Sequence, residues 1–161
     1  RLQTLQAPML EQYKTNTNNI ALGFQLASIY LATHQTNLAV AFADEMVARP
    51  ETNASLLGSI LLSASQIYNQ LQIWPKLEST LQRLVAVMPT HPETWYDLAA
   101  AQAVIGKAPE ASASLQKAVQ LSQARLATQP TARDLQAEAA KDPRFTTLRQ
   151  LPELQPLLKP K

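Results

Sequence analysis

Cysteine is absent from this 161-residue chain, which excludes disulfides, thiolate metal sites and cysteine nucleophiles together. The compartment stays open, because a chain without cysteine folds as well in reducing cytosol as in an oxidising periplasm. Glycine is nearly as scarce, and Gly23, Gly58 and Gly106 stand far apart, so no glycine-rich phosphate loop can form. The two histidines, His34 and His91, have no histidine or acidic partner three or four residues on, and no metal site is expected. No apolar run approaches the roughly eighteen residues of a membrane span. Charged residues make up only 16% of the chain, which makes the basic isoelectric point of about 9.0 a weak signal beside a formal net charge of +2.

The charges that exist are poorly placed for chemistry. Asp44 and Glu45 are the only adjacent acidic pair, and neighbours on a helix point in different directions. Ser59, Ser63, Ser65 and Ser114 lack a motif that would activate them. The densest basic stretch, Lys141, Arg144, Arg149, Lys159 and Lys161 against Asp142 and Glu153, has no aromatic platform beside it and reads as a solvated surface rather than a nucleic-acid site. Asn53-Ala54-Ser55 matches a glycosylation triplet too short to carry weight. The expectation is a protein that is not an enzyme and holds no cofactor.

What is present is a repeat. Thirty-four residues separate Leu61 from Trp95, Pro75 from Pro109, Leu77 from Ala111 and Leu81 from Leu115. Such a period describes helical hairpins that cannot bury their apolar faces alone and stack to share a core. The clearest copy places Trp95, Leu98 and Ala99 on one helix and Ala111, Leu115 and Ala118 on the next; the middle copy carries Leu61, Ala64, Ser65 and Tyr68, then Leu77, Leu81, Leu84 and Pro89. A third, looser copy has Leu26, Ala27 and Tyr30, with Phe42 and Pro50 one residue early, and a shortened turn at 34–37 is the expected reason. Trp95 is expected deep in the packing of its hairpin.

These residues resemble the tetratricopeptide repeat, with Gln102 in place of the usual aromatic and Ser122-Gln123 in place of the closing proline. The resemblance implies an all-α, right-handed superhelix of about three helical hairpins with flanking N- and C-terminal helices. The expected organisation is a helix over 1–18, hairpins over about 19–50, 54–89 and 92–127 within 19–130, and capping helices and tail over 131–161. The first helix should be started or interrupted near Pro8. A further helix should begin at Thr131 as part of a capping box with Asp134. The stretch from Asp142 to Arg149 is similar to the closing segment after many bacterial repeat arrays, with Phe145, Leu148, Leu154 and Leu157 as anchors.

In this family the concave face is lined by positions of the first helix of each hairpin that packing does not use. Carried over, they are Phe24, Ser28 and Leu31; Leu62, Ser63, Gln66, Asn69 and Gln70; and Glu93, Tyr96, Asp97, Ala100 and Val104. No Lys or Arg is among them, so an acidic partner would find no countercharge. The function expected is a protein-interaction scaffold holding a polypeptide segment that is neutral or carries a basic residue toward Asp97 and Glu93. The alternatives are self-association, a groove filled by the chain's own terminal helix, and an accessory domain of a larger bacterial protein such as a membrane-anchored transferase, either cytoplasmic or extracytoplasmic.

Overall fold

A computed structural model describes residues 2–158, and every regular element among them is helical. Lys159 and Lys161 of the basic tail lie outside the described residues. The helices are α1 (Leu2–Thr15), α2 (Ile20–Ala32), α3 (Thr36–Ala48), α4 (Ala54–Gln70), α5 (Trp74–Val87), α6 (Pro92–Val104), α7 (Ala108–Thr128), α8 (Leu135–Lys141) and α9 (Gln155–Leu158), with single 3-10 turns at Pro143–Phe145 and Leu148–Gln150. Three-residue turns join α2 to α3, α4 to α5 and α6 to α7. The chain divides into two compact units between Gln72 and Ile73.

One device ends α2, α4 and α6. His34, Gln72 and Gly106 each adopt a left-handed backbone, with φ of 60°, 56° and 83°, and their N–H groups bond back to Leu31, Asn69 and Ala103, satisfying carbonyls that a helix end leaves bare. The turn after each is the same length, so the shortened turn expected at 34–37 is not found. His34 and Gln72 are 38 residues apart (72 − 34), against 34 from Gln72 to Gly106 (106 − 72), because α4 has 17 residues where α6 has 13, one extra helical turn. Counted from His34, the packing positions of α3 are Ala39, Ala43 and Met46, all buried. Phe42 is a neighbour of that stripe and not a misplaced member of it.

Within the N-terminal unit, α1 runs through Pro8 without a break, which corrects the expected interruption. It delivers Tyr13 onto α2 and α3, where Tyr13 and Phe42 meet edge to face at 5.6 Å and Phe24 meets Phe42 at 5.2 Å. Gly23 is small for that reason: a Cβ there would lie 2.4 Å from Phe42 Cζ and 2.9 Å from Tyr13 Cε2. Arg49 fastens the far end, donating to the Thr17 carbonyl at 2.9 Å, the Tyr13 hydroxyl at 3.1 Å and Glu45 at 3.2 Å. At the other end Gln6 and Gln35 exchange amide hydrogen bonds at 3.0 and 2.9 Å. Asn19 and Asn53 cap α2 and α4 by accepting from Leu22 and Leu56, so Asn53 serves as a helix cap.

Within the C-terminal unit, proline stands at the start of α5, α6 and α7, where it has no helical N–H bond to lose. Gln102, at the usual aromatic position, accepts from Ser114 at 2.7 Å inside the core, and buried Glu78 is held by Lys107 at 2.9 Å. Trp95 is not deep: it is half-buried, with Nε1 donating to the Pro89 carbonyl at 2.8 Å. α8 starts after Asp134, which itself caps the helix by accepting from Ala137, so the expected start at Thr131 is three residues early. Leu135, Ala139, Phe145, Leu148, Leu154 and Leu158 of the tail join Ala99, Ala111, Leu115 and Ala118 in one buried cluster. Leu158 is the deep anchor at the end, while Leu157 is partly buried.

Candidate functional site

The groove positions of α2 and α4 converge within the N-terminal unit on a cleft of about 130 Å³. Phe24, Leu31 and Ile67 give it an apolar floor, and Ser28, Ser63, Gln66 and Gln70 supply polar groups around it. No lining residue is ionisable. The Ser28 hydroxyl donates to the Phe24 carbonyl at 2.9 Å. Ser63, Gln66 and Gln70 have no side-chain hydrogen bond among the described residues. A polar side chain without an internal partner on an exposed face hydrogen-bonds whatever arrives there.

The sequence-derived positions separate into two groups. Phe24, Ser28, Ser63 and Gln66 are brought together around the cleft, whereas Leu62 and Asn69 are exposed on α4 without lining it. In the C-terminal unit, Tyr96 and Ala100 of α6 are buried and Asp97 is exposed. Tyr96 and Ala100 are buried in the cluster that contains the tail. The Tyr96 ring meets Phe145 edge to face at 5.3 Å, and its hydroxyl donates to Asp142 Oδ2 at 2.8 Å. Glu93 pairs with Arg125 at 2.7 Å. Within the C-terminal unit the chain's own tail therefore covers Tyr96 and Ala100. Ile67 went unnoticed in the sequence because it reads only as a packing residue.

Electrostatics reinforce that occupation. Burial works to raise the Asp142 carboxyl, but hydrogen bonds from the side chain and backbone of Arg144 and from Tyr96 outweigh it and hold its pKa below the usual carboxylate range. Burial, aided by the Asp142 hydrogen bond, pushes the Tyr96 hydroxyl well up. Asp97 keeps an exposed surface and has no ion pair or hydrogen bond among the described residues. The protein crowding it raises its pKa, against the opposing pull of Arg144 and Arg133. Arg149 donates to the carbonyls of Ala139 and Asp142 at 3.0 and 2.9 Å, so both tail arginines are engaged within the tail.

A larger surface depression of about 430 Å³ lies near Asn18, Arg49, Pro50, Glu51 and Leu56. Its charged groups are committed, since Arg49 holds three partners and Glu51 accepts from the Asn53 N–H at 2.7 Å. Among the described residues no three His, Asp or Glu side chains are grouped to hold a metal ion. No described helix is long and apolar enough to cross a membrane.

No protein-family model and no curated protein matches the chain. A solved structure does. The chain is similar to the crystal structure of MamA, a protein that contains tetratricopeptide repeats, with a TM-score of 0.63 over 93% of this chain and 80% of that one. The fold is a tetratricopeptide-like helical repeat. At 14% identity the likeness concerns fold alone, a fold typically used without catalysis.

Proposed function

We propose that this chain is a protein-interaction scaffold whose binding surface is the uncharged cleft between α2 and α4. The observation that carries this reading lies within the N-terminal unit: the cleft between α2 and α4 has an apolar floor, and Ser63, Gln66 and Gln70 lack internal partners. Within the C-terminal unit, by contrast, the positions of α6 are covered by the chain's own tail. An extended or helical polypeptide matches such a cleft, since side chains fill the floor and backbone groups meet the amides.

The test is selection of peptides from a random library on the full chain, followed by mapping of backbone amide shifts for those selected. Uncharged sequences should dominate, with shifts concentrated at Phe24, Ser28, Ser63, Gln66 and Gln70. Selection of acidic peptides that perturb Lys141 and its neighbours would overturn the assignment.

A further inference from the structure

The three repeats permit a residue-by-residue comparison of their exposed faces, because each left-handed residue fixes the count. Phe24, Leu62 and Tyr96 all stand ten residues before one, and Ser28, Gln66 and Ala100 stand six before. In the third repeat the structure shows what this surface accepts: a phenylalanine on a single helical turn. Phe145 is fully buried with its ring edge-on to Tyr96 at 5.3 Å and 84°. In the first repeat the same position is again an aromatic residue, Phe24, but no described segment of the N-terminal unit fills the cleft beside it.

We infer that the cleft between α2 and α4 receives one phenylalanine-type side chain from an uncharged polypeptide segment, with Gln66 and Gln70 bonding the backbone next to it. This rests on the scaffold reading above and names the partner's chemistry. Size agrees: the cleft measures about 130 Å³, against roughly 150 Å³ for an apolar protein cavity that binds benzene. Geometry agrees as well, since aromatic rings prefer edge-to-face contact and Phe24 makes one such contact already, with Phe42. Charge argues against ionised anchors. An incoming Lys, Arg, Asp or Glu would meet no ionisable residue in the lining and would lose hydration without compensation. The chain's own Phe145 is not available, being buried in the other unit.

The experiment uses the full chain and capped peptides of about ten residues built from Ala, Ser and Gln, differing only at one central position that is Phe, Leu, Ala or Lys. Amide shifts at Phe24, Ser28 and Ile67 report binding. The Phe peptide should bind most tightly, the Ala peptide roughly 10- to 100-fold more weakly, and the Lys peptide not measurably. Ser28→Trp, which fills the cleft from an exposed position, should abolish binding with an unchanged melting temperature; Ser63→Leu serves if that variant is unstable. Equal shifts from the Phe and Ala peptides, or none from any, would overturn the aromatic-anchor proposal. The scaffold reading would survive this if library-selected peptides still mapped to Phe24 and Gln66. Shifts from the Phe peptide at Tyr96 and Phe145 would remove both.

Discussion

Replacing Phe145 with Ala tests whether the tail belongs to the folded array. The ring is fully buried in a cluster with Ala99, Leu115 and Leu148, and it meets Tyr96 edge to face. Truncating a buried Phe costs about 3–5 kcal/mol, combining lost transfer energy with the cavity left behind. Relative to a domain stability of roughly 5–15 kcal/mol, that is about a fifth of the total or more. At about 4–8 °C per kcal/mol for a unit of this size, the C-terminal unit should melt well over 10 °C lower. Urea unfolding followed by Trp95 fluorescence reads this unit, since Trp74 and Trp95 both lie within it. The midpoint should fall with little change in slope. A loss below about 1 kcal/mol would show that the ring is not part of the cooperative core, and the tail would then be a peptide that docks and detaches.

Three further outcomes follow from other features. Gly23→Ala places a methyl group against Phe42 and Tyr13 and should destabilise the N-terminal unit by about 1–3 kcal/mol in thermal unfolding, although alanine is the better helix former; Phe42→Leu in the same chain should recover part of the loss. Gln72→Gly and His34→Gly relieve side chains from left-handed backbone, and a gain of about 0.5–1 kcal/mol is expected in denaturant titrations. Asp142 and Glu93 have pKa values below their ordinary ones, so their contribution is present above the unfolded carboxylate range, near pH 4, and is lost as pH falls through the folded values. Asp97, raised instead, acts in the opposite direction, and Asp97→Asn should raise stability at neutral pH; melting curves at pH 3, 5 and 7 check both signs.

The helices were legible because their signals are local: proline at the starts of α5, α6 and α7, and apolar residues at a repeated spacing. Glycine marks the left-handed conformation at Gly106; His34 and Gln72 carry no such mark, so the first hairpin offered no fixed point to count from and a short turn was read into it. Ala43, too small to stand out, let Phe42 pass for the packing residue. The start of α8 was misread because Thr131 and Asp134 are both good caps, and the bond that decides between them, from Asp134 to Ala137, is made only once the helix forms. At the proposed site, the register grouped Phe24, Ser28, Ser63 and Gln66, and these side chains line one cleft. It failed at Tyr96 because an apolar surface position looks the same whether a partner or the chain's own tail covers it, and Phe145 lies 49 residues away in sequence (145 − 96).

The central claim is that binding uses an uncharged cleft between α2 and α4, and titration of a library-selected peptide at about 0.05 and 0.5 M salt tests it most directly. The dissociation constant should change less than about threefold between the two, and Gln66→Ala with Gln70→Ala should weaken binding about tenfold at both. Affinity that collapses at high salt, survives the double amide change and disappears when Lys141 is neutralised would contradict the claim and place the site on the tail.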